Sequence, residues 1–442
     1  MEEDFIHHLL FCLHSHSDFF MENISDRMNI LVIYQYFLEK EGAGGSRFNQ
    51  FAKYWAETSY EVTVVTGTVD YATGKKNKEY KGKWIIKEKI DENITILRCY
   101  VSELYNKNFL GRFLAFFSFV FSSTWAGIFS VDRPNVIIAT SPPLFVAIPG
   151  YIISRLKRIP FIFEVRDLLP KFAIDTGVLR NKLVIKLALW LEKWIYRKAN
   201  LINVLTPAFK EYLVEEKGVS ENKIIYIPNA ADLDLMKPGL KDNWVREKYN
   251  WDDKFVILYV GAHGIANDLW QIIDVAKGLK NRDDILFVLI GDGMEKPKLI
   301  KKSQEEKLTN IQFMDPIPKN KISDYINAAN VCTVILKPIF TTTYPNKVFD
   351  YMACAKPIIL PIDGACRKLV INEAKAGLFV NPSDAKDFKE KILYLYNHSS
   401  ELKKIGERGY NFVLRNFDRE KLSQKYLEII QRLINGKNPK NN

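Results

Sequence analysis

At 442 residues the chain is long enough for two domains of ordinary size, and its 47% hydrophobic and 26% charged residues exclude a disordered or fibrous protein. A net charge of +11 and a pI near 9.1 favour anionic partners, among which nucleic acid ranks last because no common nucleic-acid-binding signature is present. Five cysteines (Cys12, Cys99, Cys332, Cys354 and Cys366) show no C-x-x-C pair and no metal spacing, so they read as reduced thiols of a cytosolic protein.

Residues 1–27 differ from the rest. Four of the six histidines lie here, at His7, His8, His14 and His16, around the short apolar run Leu9 to Leu13. A secretory signal needs a basic start and a longer apolar core. A His-rich metal site is one reading; an extension ahead of a domain starting at Met28 is preferred. Asn29 to Tyr34 is then a buried strand. The loop Gly42 to Ser46, with Gly44 and Gly45, precedes a helix from Arg47 to Glu57 whose Phe48, Phe51, Ala52 and Trp55 share one face. Strand, glycine loop and helix suit a phosphate site, though a flexible loop has the same composition. Further strands at Glu61 to Thr66 and Ile94 to Arg98 start a doubly wound α/β domain.

Phe113 to Val131 carries no charge and is about long enough to span a bilayer. It mixes Phe with Ser118, Ser122, Ser123, Thr124 and Gly127. Core helix, surface-inserted helix and true span compete. A span would part the flanking strands and break the sheet, so it is rejected. Insertion of exposed Phe, Phe116 and Phe119 included, beside Lys107 and Arg112 is favoured over core packing. The strand Asn135 to Thr140, a helix from Leu144 to Leu156 and the strand Pro160 to Glu164 complete a βαβ unit. Glu164-Val165-Arg166-Asp167-Leu168-Leu169-Pro170 then sits at a strand end, where doubly wound sheets place ligands. No His lies between His16 and His263, so a general base or stabilising carboxylate here must be Asp167 or Glu164. A structural pair of Arg166 with either one is the alternative. Leu183 to Ala199 is a cationic amphipathic helix with Trp190 and Trp194. It suits an anionic lipid surface or packing on the core. Leu201 to Thr206 reads as the last strand of the first domain.

Phe255 to Val260 opens the second domain and leads into a glycine turn at Gly261 and Gly264. His263 there reads as a loop histidine with its hydrogen bonds satisfied, phosphate contact being the lesser alternative. Ile285 to Ile290 ends at Gly291-Asp292-Gly293. The stretch Tyr344 to Leu360 reads as loop, helix, turn and strand: Pro345 suits the helix start, Val348, Tyr351 and Met352 share a face, and Lys356-Pro357 ends the helix. Such a helix aims free N–H groups at what precedes it, a natural place for phosphate, with Asn346 and Lys347 at its start and Asp350 one turn on. An ordinary buried helix with a polar start reads the same way.

Tyr344 to Leu360 resembles the P-S-K-x-F-E-Y-x-A-x-G-K-P-V-I signature of family 4 glycosyltransferases, which have the GT-B fold. Asp350 stands where the family has the second Glu of E-x7-E, on the nucleotide ribose; Thr342 stands at the first Glu and Ala355 at the Gly. Glu164 to Pro170 resembles the E-V-R-D-L-x-P motif of the lipopolysaccharide and capsule branch, and Ile227 to Asp232 the I-P-N-G-x-D bridge between domains. The family's Arg and Lys after the first strand of the second domain are absent. The resemblance implies two doubly wound Rossmann-like domains with a cleft between them: an acceptor domain 28–206, a donor domain 207–415, and a helix in 416–442 crossing back to the first domain, with the hinge near Pro228. It also implies retaining transfer of a sugar from a UDP- or GDP-sugar to an acceptor, here expected to be a lipid-linked saccharide. Asp167, Glu164 and Lys347 are the candidate catalytic residues. Gly44, Gly45, Gly264, Gly291, Gly293, Lys337, Thr342, Asn346 and Asp350 are the donor-binding candidates. No D-x-D motif lies at a strand end, so neither metal nor cofactor is expected, the nucleotide sugar being a substrate. An anionic membrane surface is an expected partner, which puts the protein on the inner face of the plasma membrane. An inactive nucleotide-sugar-binding protein and an epimerase of the same fold are the alternatives.

Overall fold

The computed structural model describes residues 28–37, 47–58, 60–69, 76–106 and 109–436. The extension 1–27, with its histidines, and the loop carrying Gly44 and Gly45 lie outside them. Two open sheets carry the fold. The first consists of β1 (Asn29–Ile33), β2 (Glu61–Gly67), β3 (Ile85–Asp91), β4 (Ile94–Cys99), β5 (Val136–Thr140), β6 (Phe161–Val165), β7 (Leu201–Val204) and β8 (Ile224–Tyr226), in the order β3-β4-β2-β1-β5-β6-β7-β8. Only β3 runs antiparallel to its neighbour. The second sheet is parallel throughout, in the order β11-β10-β9-β12-β13-β14, from β9 (Phe255–Val260), β10 (Ile285–Ile290), β11 (Ile311–Met314), β12 (Val331–Thr333), β13 (Ile358–Leu360) and β14 (Gly377–Phe379). The central strands are apolar on both faces because helices cover both sides, which is what a parallel sheet requires. Strand order reverses beside β1 and beside β9, so each sheet opens a crevice at its carboxyl end. The first sheet does not stop at Leu201 to Thr206, before the boundary read at 206. Ile224 and Ile225 are buried, and their strand adds β8 to that sheet.

The helix Phe109–Phe129 turns its small residues inward. Ala115, Ser122, Ser123 and Ala126 are buried; the Ser122 hydroxyl donates to the Tyr100 carbonyl at 2.8 Å, and Gly127 lies tightly against Ile153. The large rings Phe113, Phe117, Phe121, Trp125 and Phe129 face outward, Phe121 at 63% exposure. Phe119, expected among the exposed rings, is instead 1% exposed and belongs to the core, and Phe116 is half-buried against Phe145. Alongside run the helices Ala147–Lys157 and Lys182–Lys198, joined by a Tyr151–Trp194 edge contact at 4.8 Å. The third helix is buried at Leu191 and Ile195, whereas Leu183, Leu187 and Trp190 stay exposed. Among the described residues no helix is long and apolar enough to cross a membrane.

The helix Arg419–Ile434 crosses back onto the first domain. The Trp55 indole donates to the Ser423 carbonyl at 3.2 Å, and Phe51 and Trp55 meet Tyr426 edge-on. One continuous apolar cluster therefore runs from β1 and the helix Arg47–Glu57 into the second domain.

Candidate active site

The second-domain side of the candidate site is built around Lys347, the first residue of the helix Lys347–Ala353. This helix docks on the end of β9, where the Val260 N–H donates to the Tyr351 hydroxyl at 2.8 Å. Lys347 thereby reaches under the glycine turn that follows β9. Its Nζ is buried without a hydrogen-bond partner and lies 3.8 Å from the centre of the Tyr259 ring. A Cβ added at Gly261 would stand 2.6 Å from it, so Gly261, which has a φ of +144°, is the residue that leaves the amine room. Burial lowers the Lys347 pKa to about 7. His263 is buried nearby with both ring nitrogens unpartnered, and its pKa is lowered to about 4, first by burial and then by Lys296 and Lys347. It is therefore not the satisfied loop histidine that the sequence suggests. Asn346 adds a fourth buried polar atom without a partner, its Oδ1. Unpaired buried donors and acceptors are costly, and a group of them marks a place made for a polar ligand.

Three expectations change on this side. The helix spans seven residues, and the N–H groups of Val348 and Phe349 already donate to the Pro345 and Asn346 carbonyls at 3.1 Å. That leaves the Lys347 amine, buried without a hydrogen-bond partner, as the stronger candidate for meeting an anion. Asp350 is held by Lys319 at 2.7 Å, and that partner must move or share before the carboxylate can take a ribose hydroxyl. Gly291 and Gly293 serve the protein's own backbone. Their added Cβ atoms would fall 1.9 Å from the Gly261 carbonyl and 2.5 Å from that of His263. Gly264 opens the short turn Ile265–Asn267, and the Lys337 N–H donates to the Ala266 carbonyl at 2.9 Å, which brings Lys337 beside that turn.

On the other side, Glu164 lies one residue before the end of β6 and is fully buried. It pairs with Arg47 at 3.0 Å and accepts further bonds from Thr140 at 3.0 Å and Asn203 at 2.8 Å. Neither pairing proposed for Arg166 is the one formed by Glu164: its cation comes from the start of the helix Arg47–Glu57. Arg166 instead lies over the Tyr34 ring at 5.1 Å. Asp167 is half-buried, and burial raises its pKa against the pull of Arg166. The two domains touch at two further points. Thr206 donates to the Thr342 carbonyl at 2.7 Å, and Phe172 meets Phe340 edge-on at 5.1 Å. Thr342 thus joins the domains through its backbone. A separate cavity of about 510 Å³ lies near Pro228, lined in part by Glu211, Tyr226, Tyr344, Lys368 and Phe417; it contains none of the predicted site residues. Sequence reasoning missed Arg47 and Lys319, and it read the turn at Gly261 without giving that glycine a role beside Lys347. Only Arg47 left a signal, as a cation opening a helix that otherwise shows apolar residues to the core.

Two Rossmann-like domains with facing crevices and a polar site at their junction define the GT-B class of proteins. Residues 42–230 match a family model described as "Glycosyl transferase 4-like domain", and residues 242–412 one described as "Glycosyl transferases group 1". The chain belongs to the family 4 glycosyltransferases. It is 23% identical over 248 residues to an uncharacterized glycosyltransferase of Methanocaldococcus jannaschii, covering 55% of this chain and 61% of that protein's length. It is 24% identical over 301 residues to the N,N'-diacetylbacillosaminyl-diphospho-undecaprenol alpha-1,3-N-acetylgalactosaminyltransferase of Campylobacter jejuni, covering 64% of this chain and 74% of the relative. In fold it is similar to Anabaena Alr3699/HepE, solved in complex with UDP and glucose, at a TM-score of 0.68 and 15% identity, over 92% of this chain and 100% of that one.

Proposed function

We propose that the protein moves a sugar, with retention of configuration, from a UDP- or GDP-sugar to a lipid-linked saccharide at the inner face of the plasma membrane. The observation that carries the donor half is the buried, unpartnered Lys347 Nζ beside His263 and Gly261. A diphosphate supplies the charge this amine lacks, and the protonated amine stabilises the leaving group as charge develops on it. Asp350 takes the ribose by sharing its carboxylate with Lys319 or displacing it, while Lys337 and Asn346 complete the donor side. Across the cleft Asp167 is the carboxylate in contact with the reacting groups, and Glu164 supports it from behind. The acceptor half rests on the outward rings of Phe109–Phe129 beside the cationic helix Lys182–Lys198, together with the diphospho-undecaprenol in the name of the Campylobacter relative. A binding protein without turnover is the reading favoured by Thr342 in place of a carboxylate.

Thermal shift against UDP-, GDP- and ADP-sugars tests the donor. The true donor raises the melting temperature by mass action, and Lys347→Met abolishes the shift. A panel that leaves the melting temperature unmoved contradicts the reading. Activity is expected to survive EDTA; its loss, with rescue by Mg2+ or Mn2+, would overturn the metal-free assignment.

A further inference from the structure

Arg47 sits where two general rules oppose it. It is the first residue of a helix, where the dipole disfavours a cation, and its side chain is 1% exposed, where desolvation disfavours any charge. Burial does lower its pKa, against the pull of Glu164. Its partners explain the placement. Nε and Nη2 hold the Glu164 carboxylate at 3.1 and 3.0 Å, Nη2 also donates to the Ile227 carbonyl at 2.8 Å, and Nη1 donates to the Pro228 carbonyl. The Phe51 ring lies 4.7 Å beneath the guanidinium. Glu164 is paired in register with Thr140 on β5 and Asn203 on β7, and both side chains bond to it. Asn203 in turn accepts from the Ile227 N–H at 2.8 Å. One guanidinium thus grips the end of β6 with one edge and the chain leaving β8 with the other.

That chain leads from the first sheet to the second and is where the hinge is expected. Ile227 and Pro228 follow β8, and within a few residues Ala231 bridges to Asp418 and Asp232 pairs with Arg419 at the base of the crossing helix. Pro228 has no N–H, so the carbonyl side is where this backbone can be held. A buried ion pair of this kind is seldom worth more than a well-packed apolar pair. What it supplies is a defined geometry among three elements: the helix behind the glycine loop, the Glu164 to Pro170 turn, and the hinge.

We propose that Arg47 is a positioning residue for transfer: it ties the hinge to the end of β6 and so sets where Asp167 stands relative to the donor domain. The turnover arm of the test rests on the transferase reading; the distance arm does not. Arg47→Lys keeps the charge but loses the fork. Spin labels at Lys89→Cys and Lys301→Cys, on opposite domains and both exposed, report the separation by pulsed electron resonance. In Arg47→Lys the distance distribution broadens, and kcat falls at least tenfold per folded molecule, while the nucleoside diphosphate Kd from calorimetry stays within twofold. Merely structural work by Arg47 would lower the melting temperature and leave kcat and the distances alone; that result overturns the proposal. If Arg47→Lys does not fold, Thr140→Val, which removes one bond to Glu164, is judged by the same readings. Broadened distances in the variant together with a wild type that transfers nothing would refute the transferase reading and leave the hinge tie standing.

Discussion

Lys347 is buried as an amine with no counter-ion, and this has a sign that can be measured. The unfolded chain holds its proton up to about pH 10.5, the folded one only to about pH 7. Between these values unfolding takes up a proton, so this group opposes folding fully below pH 7 and progressively less as the pH rises towards 10.5. A nucleoside diphosphate restores the protonated form. Calorimetry of nucleoside diphosphate binding at pH 8, in buffers of different ionisation enthalpy, is expected to show uptake of close to one proton, and at pH 6 very little. Binding without uptake at pH 8 would show that the anion does not meet this amine. Lys347→Met is expected to raise thermal stability while weakening nucleotide binding, the opposed pair of effects typical of a site that stores an unsatisfied group.

The helix Lys347–Ala353 is capped by Cys354 and followed by Ala355, which stands where the family signature has Gly and adopts a φ of +52°. A side chain in that left-handed conformation costs roughly 1–2 kcal/mol, part of which Gly gives back through its freer unfolded chain. Ala355→Gly should therefore stabilise the protein by about 1 kcal/mol in a urea melt, and a destabilised variant would disprove the strain argument. This helix and its motif were legible because Pro345, the apolar spacing and Lys356-Pro357 are local signals. The inward and outward faces of Phe109–Phe129 were not, since phenylalanines lie on both sides and the sheet-facing contacts select small residues such as Ser122 and Gly127. The Glu164 partner was hidden for another reason: Arg47 lies 117 residues away, and only the assembled sheet brings them together. Lys319 on Asp350 escaped notice in the same way. The short β8 carried too little pattern to be distinguished from the hinge. Vesicle flotation tests the corrected helix faces. Phe117→Ser with Phe121→Ser should weaken binding to anionic vesicles and leave the fold intact. Phe119→Ser should destabilise the protein by several kcal/mol, roughly the range for emptying a core aromatic site. Equal effects of the two changes on stability would mean that the faces are misassigned.

Across the whole molecule, the crossing helix Arg419–Ile434 and the Thr206–Thr342 contact join the two domains, and the Asp167 turn and the Lys347 turn are assigned to the cleft expected between them. The three helices on the other side of the first sheet present rings and lysines away from the core. Attachment by both means should be partly reversed by salt, because only the charged component is screened. The central claim is sugar transfer in that cleft. Its most direct measurement is product analysis by mass spectrometry and anomeric NMR, with the protein, UDP- and GDP-sugars and a polyprenyl-diphosphate saccharide in anionic vesicles. The expected product is the lipid-linked saccharide with one added sugar, with the donor's anomeric configuration retained and nucleoside diphosphate released, and it is lost in Lys347→Met. An inverted linkage would contradict the retaining assignment; a donor that binds but yields no glycosylated product from this acceptor would contradict transfer to a lipid-linked saccharide.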